Sequence, residues 1–135
     1  MKILNLPINQ FVKITRDDNN LTLKLTPQIQ NHVGTIHAGA QFILAESASG
    51  VYLSELFPDL KDRVIPLLRD SNIKYKKPAL NTLRAYVEIE PKELKRFKDQ
   101  FLKKSKASIK VTVKLKDCDA NITAIATFSW IILKI

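Results

Sequence analysis

The 135-residue sequence has few of the residues that build covalent or metal-bound frameworks. Its single cysteine, Cys118, cannot form an internal disulfide, and with only two histidines the chain offers no cluster of metal ligands. No apolar run approaches the ~20 residues that a transmembrane helix needs. Polar residues interrupt the apolar opening at residues 1–4 before a signal peptide can develop. These scarcities predict a cytoplasmic protein with neither a metal nor a membrane span.

The overall composition is that of an ordinary globular domain. Apolar residues make up 45% of the chain and charged residues 26%, which is close to the average for folded proteins and argues against disorder. A chain of this length can bury a hydrophobic core without disulfides. We therefore expect one domain spanning residues 1–135.

The charge is unevenly balanced. Lysine and arginine number 22 against 13 acidic residues, which gives a net charge of +9. Such a surplus favours anionic partners, such as nucleic acid, an acidic membrane surface or a phosphate-rich cofactor. Plain solubility is the alternative explanation.

The hydrophobic pattern predicts strands around one long buried helix. Residues 38–57 lack proline and precede Pro58, so we predict a helix of about five turns, apolar nearly all round and rich in small residues. A second, short helix is predicted at residues 91–104. Because short turns join consecutive strands, the sheet should be antiparallel and the fold α+β, with two layers. The strands are predicted at residues 11–16, 21–25, 64–75, 82–90, 108–116 and 122–133.

Two unusual residue types gather in one short window. All three glycines and both histidines lie within residues 31–50, in the loop before the long helix and in the helix itself. Glycine permits close backbone approaches, and histidine exchanges protons near neutral pH. The clustering indicates a functional site, with chance and helix capping as the alternative. The residues are His32, Gly34, His37, Gly39 and Gly50.

Glu46 is the only charged residue between Ala38 and Leu53. An isolated carboxylate in a buried helix costs several kcal/mol unless it is paired, hydrogen-bonded or protonated. Burial would also raise its pKa toward the range that suits general acid–base catalysis. A solvated position or a structural ion pair with a lysine is the alternative.

The start of the long helix supplies a third feature. The first amides, at Ala38 and Gly39, have no acceptor within the helix and carry partial positive charge, so they can polarise a carbonyl and stabilise an oxyanion. Glu46 lies roughly 12 Å further along the axis at ~1.5 Å per residue. One carbonyl cannot touch both groups in one subunit, but a second copy of the chain can supply the missing half.

The same window resembles the signature of hot-dog thioesterases of the phenylacetate-degradation (PaaI-like) group. That signature is asparagine, two residues, glycine, two residues, histidine, two glycines, six residues and then aspartate or glutamate. A second run, residues 72–79, is similar to the strand of that family that ends in a Lys-Pro-Ala turn. The likeness covers residues 20–134, and the helix at 91–104 resembles an insertion in one branch of the superfamily. The matching positions are Asn31, Gly34, His37, Gly39 and Glu46.

The resemblance implies a hot-dog fold, in which an antiparallel sheet wraps around the central helix, and a homodimer or a dimer of dimers with active sites at the dimer interface. It implies hydrolysis of a small or medium acyl-CoA, with no cofactor beyond the coenzyme A of the substrate. The Ala38 amide would bind the thioester oxygen, beside Gly39, and Glu46 of the facing subunit would activate water or attack directly. Asn31 would position the nucleophile or carbonyl, and His37 would support the loop.

The sequence departs from the family pattern at two positions. Ala38 replaces the commoner glycine, so its methyl group could tighten the approach to the amide. Glu46 replaces the commoner aspartate and reaches about one methylene further. Neither change removes the chemistry, but both permit a non-catalytic hot-dog protein that binds acyl-CoA or acyl carrier protein.

Basic residues leave further alternatives open. Lys76 and Lys77 either contact coenzyme A phosphates or form a solvated strand end. Residues 91–106 carry seven basic and two acidic side chains, a net of +5, and they either bind phosphate or acidic lipid or form a solvated helix face. A nucleic-acid module is suggested by charge alone, because the sequence has neither a recognition helix nor interleaved aromatic and basic residues.

Overall fold

The computed structural model describes residues 2–135, and its core element is a six-stranded antiparallel sheet packed on one long helix. The strands are ordered β1-β2-β4-β5-β6-β3 across the sheet. Three short 3₁₀ turns, at Ile3–Asn5, Pro27–Ile29 and Pro58–Leu60, lie between the longer elements. The helices are α1 (Pro7–Val12), α2 (Ala38–Leu56) and α3 (Pro91–Lys104), and the strands are β1 (Thr15–Asp17), β2 (Asn20–Leu23), β3 (Val64–Tyr75), β4 (Leu83–Glu88), β5 (Lys106–Lys116) and β6 (Ile122–Lys134).

The central strands show why the sheet closes on α2. Every second residue of β5 is a buried apolar side chain, whereas the alternate positions carry lysine, serine or threonine, as expected for a strand with one face on the core. β6 pairs with β5 along its whole length and contributes Phe128, which is fully buried. Small residues of α2, such as Ala45 and Ala48, are buried against this surface. The predicted α+β architecture is therefore confirmed.

The N-terminal segment differs from the prediction. We expected a strand at residues 11–16, but α1 occupies Pro7–Val12 and the strand starts at Thr15. Proline suits the first position of a helix, and the left-handed conformation of Lys13 (φ 64°) ends it. The buried Asn9 holds α1 in place, because its Nδ2 donates to the Ile3 carbonyl at 2.7 Å and its Oδ1 accepts from Ser47 Oγ at 3.2 Å.

Burial of α2 is also less complete than predicted. The sheet covers one face of the helix, while Phe42, Ile43, Glu46, Gly50 and Val51 are only half-buried in the single chain. A helix that is apolar on a half-exposed face indicates a surface suited to further packing. The expectation of burial all round is therefore wrong for the isolated chain.

The edge of β5 beyond β4 is covered by a helix, whereas the outer edge of β3 is open. Beyond the end of β4, the edge of β5 is covered by α3: Glu93 Oε2 accepts from the Lys110 amide at 2.7 Å, and Arg96 Nη2 donates to the Ser108 carbonyl at 2.7 Å. Phe97 anchors α3 in the core against Phe57. Within residues 2–135, nothing pairs with the outer edge of β3, which is 12 residues long. A long open edge of this kind is a template for pairing with another chain.

In the described part of the chain, residues 2–135, no helix combines the length and apolar character needed to cross a membrane.

Candidate active site

The loop before α2 is shaped by the side chain of Asn31. Asn31 Oδ1 accepts from the amides of Val33 (3.1 Å) and Thr35 (2.9 Å), and Asn31 Nδ2 donates to Thr35 Oγ1 at 2.7 Å. The Gly34 amide closes a turn onto the Asn31 carbonyl at 3.1 Å, and its φ of +81° is one that glycine adopts without strain. Asn31 therefore fixes the loop. Its predicted contact with a nucleophile or carbonyl stays a prediction.

Three further bonds tie this loop to the connection between β3 and β4, to the 3₁₀ turn at Pro27–Ile29 and to α2. The Ile36 amide donates to the Ala79 carbonyl at 3.0 Å, and the His37 amide donates to the Ile29 carbonyl at 2.8 Å. Gln41 Nε2 donates to the Ile36 carbonyl at 3.2 Å from a buried position. Sequence reasoning missed Gln41. The available signal was a long amide side chain in the first turn of an otherwise apolar helix.

His37 caps the N-terminus of α2. Its Nδ1 accepts from the Gly39 amide at 2.8 Å, so the proton of the neutral ring is assigned to Nε2. A Cβ on Gly39 would lie only 3.1 Å from this Nδ1, so a larger residue here would require the imidazole to shift by a few tenths of an ångström. The Gly39 amide is thus occupied within the chain and is not free to bind a substrate oxygen. Of the two predicted oxyanion donors, this leaves Ala38, whose role stays a prediction.

The Ala38 amide is a free and accessible donor in the first turn. Among residues 2–135 it has no hydrogen-bond acceptor, and Ala38 is exposed. As the first amide of a 19-residue helix, it also carries part of the positive end of the helix dipole. A carbonyl oxygen that approaches the helix end can therefore be bound and polarised by this N–H.

Tyr75, the last residue of β3, reaches the same helix turn. Its hydroxyl donates to the Ala38 carbonyl at 2.8 Å. Burial raises the pKa of Tyr75, which keeps the phenol protonated and able to donate. Sequence reasoning included Tyr75 only as part of the strand before Lys76 and did not predict this contact.

Glu46 lies apart from this cluster. Its side chain is half-buried, and desolvation raises the pKa of the carboxyl above its ordinary value. Within residues 2–135, no hydrogen-bond donor or ion-pair partner reaches the carboxylate. Ala38 and Glu46 are eight positions apart in the sequence, which separates them by about 12 Å along the helix. One subunit therefore places His37 and Ala38 at the start of α2, with Asn31 shaping the loop before them, but leaves the carboxylate outside.

The two lysines after Tyr75 lie at the end of the sheet. The amides of Lys76 and Lys77 donate to the Thr123 carbonyl at 2.7 Å and 3.2 Å, and both side chains are exposed. Lys77 Nζ lies 3.4 Å from Asn121 Oδ1. Their contact with coenzyme A phosphates stays a prediction. Residues 2–135 contain no group of three histidine, cysteine, aspartate or glutamate side chains arranged to hold a metal ion.

The chain matches a family model and several solved structures. The model of a family described as a domain of unknown function (DUF4442) matches residues 8–132. A Pseudomonas aeruginosa protein described as a probable thioesterase of unknown function is similar with a TM-score of 0.82 and 18% identity, over 98% of this chain and 91% of that one. A Chlorobaculum tepidum protein of unknown function gives a TM-score of 0.81 and 23% identity, over 97% and 88%.

A third similar structure carries a ligand. It is a Bacillus halodurans protein crystallised with CoA, with a TM-score of 0.72 and 22% identity over 93% of this chain and 75% of that one. No protein with a curated function matches the chain. At these identities the similarity shows the fold alone. It confirms the predicted hot-dog architecture, a six-stranded antiparallel sheet around a long central helix.

Proposed function

We propose that this chain, which belongs to the DUF4442 family and has the hot-dog fold, hydrolyses small or medium acyl-CoA thioesters. The observation that carries the proposal is a pair of groups on α2 that have no hydrogen-bond partner among residues 2–135. The free Ala38 amide can bind a carbonyl oxygen, and the half-buried Glu46 can act as a base. The CoA bound to the Bacillus halodurans protein supports the choice of acyl carrier.

The proposed reaction uses these two groups on opposite sides of one carbonyl. Glu46 takes a proton from water, the oxygen of that water attacks the thioester carbon, and the negative charge that develops on the carbonyl oxygen is stabilised by the Ala38 N–H. The C–S bond then breaks, and the thiolate of coenzyme A takes up the proton from Glu46. Direct attack by the carboxylate, followed by hydrolysis of the anhydride, is the second route open to the same residue.

Completion of the site requires a second subunit. The distance of about 12 Å along α2 prevents one carbonyl from meeting both groups in one chain. The open edge of β3 can pair with its own copy, and the half-exposed face of α2 offers Phe42, Ile43 and Val51 for burial. These features support a homodimer in which the Ala38 amide of one subunit faces Glu46 of the partner subunit.

The assembly is directly testable. We expect light scattering at micromolar concentration to give a mass of a homodimer or of a dimer of dimers, rather than the 15.4 kDa of one chain. The reason is that the β3 edge and the exposed face of α2 are covered only by association. A stable 15.4 kDa species at that concentration would contradict the two-subunit site.

The function itself is tested with a panel of acyl-CoA thioesters of increasing chain length. Steady-state release of free coenzyme A should be fastest for one class of small or medium acyl group. The second candidate function is that of a non-catalytic acyl-CoA binder, which the Ala38 methyl group at the carbonyl site favours. Calorimetry with a non-hydrolysable acyl-CoA analogue measures binding separately from hydrolysis. Binding without turnover would favour the binder, whereas the absence of both would contradict both functions.

The pH dependence of hydrolysis follows from Glu46. The base must be ionised, and desolvation raises its pKa, so activity should fall as the pH is lowered through this raised pKa. We expect the acidic limb of the kcat/KM profile to lie at higher pH than the ordinary glutamate value. An acidic limb at the ordinary value would show that Glu46 is either fully solvated or not the base.

A further inference from the structure

One peptide unit at the start of α2 is held by side chains at both of its ends. The carbonyl of Ala38 and the N–H of Gly39 belong to the same planar peptide group. Tyr75 donates its hydroxyl hydrogen to this carbonyl at 2.8 Å, and His37 Nδ1 accepts from this N–H at 2.8 Å. We infer that Tyr75 is a positioning residue that, together with His37, fixes the direction of the Ala38 amide. This inference rests on the proposed thioesterase function.

The geometry explains how a bond to one peptide controls the neighbouring one. The N–H of Ala38 belongs to the preceding peptide unit, which runs between the Cα atoms of His37 and Ala38. The clamped unit fixes the second Cα, while the bond from the His37 amide to the Ile29 carbonyl fixes the first. The carbonyl of this same unit, that of His37, accepts from the Gln41 amide at 3.1 Å and stops the unit from rotating between its two held Cα atoms. The free N–H therefore points in one direction, as a preorganised oxyanion donor requires.

The two bonds also reinforce each other. A donor on the carbonyl oxygen polarises the peptide group and makes its N–H a stronger donor, so hydrogen bonds in such a chain are cooperative. The Tyr75 bond therefore strengthens the bond from the Gly39 amide to His37 Nδ1. This bond in turn keeps the imidazole in the tautomer with its proton on Nε2.

The hydroxyl of Tyr75 is not needed to satisfy the backbone. A carbonyl in the first turn of an α-helix already accepts from the amide four residues later, so Tyr75 is an additional donor. Tyr75 is also 45% exposed, and Tyr75→Phe keeps the aromatic ring. Loss of the hydroxyl alone should therefore change the orientation of the helix turn without unfolding the chain.

The decisive experiment compares Tyr75→Phe with the matched variant Tyr86→Phe, on the outer face of β4 beneath Lys116. For Tyr75→Phe we expect kcat to fall roughly tenfold with little change in KM, the size typical of one lost hydrogen bond. Tyr86→Phe should leave both constants unchanged. Because Tyr75 and His37 hold the same peptide, the loss in kcat for Tyr75→Phe combined with His37→Ala should be smaller than the product of the single losses.

Nuclear magnetic resonance supplies a readout that a purely structural role would not change. In Tyr75→Phe, the Gly39 amide resonance should shift and the His37 ring nitrogens should report a mixture of tautomers, while the melting temperature stays that of the wild type. A wild-type rate in Tyr75→Phe would overturn this inference alone. A parallel loss of kcat and melting temperature would assign Tyr75 a structural role instead. A wild type that cleaves no thioester would overturn the proposed function, and this inference with it.

Discussion

Glu46→Gln is expected to lose thioesterase activity by ~10²-fold or more while it keeps its fold and assembly, because a positioned base contributes about 10²–10⁴ in rate. Glutamine has nearly the same shape as glutamate but cannot take a proton from water. The carboxylate has no partner within residues 2–135, so its replacement breaks no hydrogen bond of the described chain. The acyl-CoA panel measures the activity, light scattering measures the assembly, and thermal unfolding measures the stability of the fold.

Two further variants make this test specific. Glu46→Asp should retain part of the activity, because it keeps the carboxylate and shortens it by about one methylene. Glu55 lies on the same helix but is exposed and paired with Arg16 at 2.8 Å. The Glu55→Gln variant should therefore hydrolyse thioesters at the wild-type rate. If Glu46→Gln is as fast as the wild type, Glu46 is structural and the proposed mechanism fails.

Thermal unfolding of the same variant carries a pH signature. Desolvation raises the pKa of folded Glu46, so the folded chain binds this proton more tightly than the unfolded chain does. The contribution of Glu46 to the free energy of unfolding is therefore present at low pH and is lost as the pH rises through the raised pKa. The melting temperature of Glu46→Gln, relative to that of the wild type, should be higher at neutral pH than in acid.

Much of the fold could be predicted because prolines and periodicity mark the long elements. The predicted helix at residues 38–57 is observed as α2, and the strand at 64–75 and the helix at 91–104 have the predicted bounds. The strand predicted at residues 11–16 was wrong at its start, because α1 (Pro7–Val12) is too short to show a helical period. Asn9 of this helix accepts from Ser47 of α2, and such a contact has no local sequence signal.

The site was predictable in its residue types but not in its contacts. Glycine and histidine clustering identified the loop, and isolation in an apolar helix identified Glu46. Which amide is free depends on the ring orientation of His37, whose Nδ1 occupies the Gly39 N–H. The bond from Tyr75 to Ala38 joins residues 37 apart in sequence, so only the folded chain reveals it.

The basic segment shows the limit of charge as an argument. Residues 91–106 suggested a phosphate-binding or lipid-binding face, yet Glu93 and Arg96 of α3 are used to cover the edge of β5. Arg96 also pairs with Glu93 at 2.9 Å. At least part of this segment thus protects the sheet from unwanted pairing, and a phosphate contact by its exposed lysines stays a prediction.

Ala38→Pro should abolish most of the activity, because it replaces the amide hydrogen of the proposed site with the ring carbon Cδ. Proline has no N–H, and it suits the first position of a helix, where no backbone bond is lost. The preceding His37 has φ −58° and ψ 139°, which is the conformation that a residue before proline prefers. We therefore expect an unchanged melting temperature and a fall in kcat of about 10²–10³-fold, the usual effect of losing one oxyanion donor.

The matched control and a mixing experiment complete this test. Ala38→Gly keeps the N–H and should retain activity, so a loss there as well would point to the side chain rather than the amide. Ala38→Pro and Glu46→Gln, unfolded and refolded together, should recover about a quarter of the wild-type activity, because half of the dimers are mixed and each has one intact site. That site takes its Ala38 amide from one variant and its Glu46 from the other. If mixing restores nothing, the two groups do not meet across a subunit interface, and the two-subunit site is wrong.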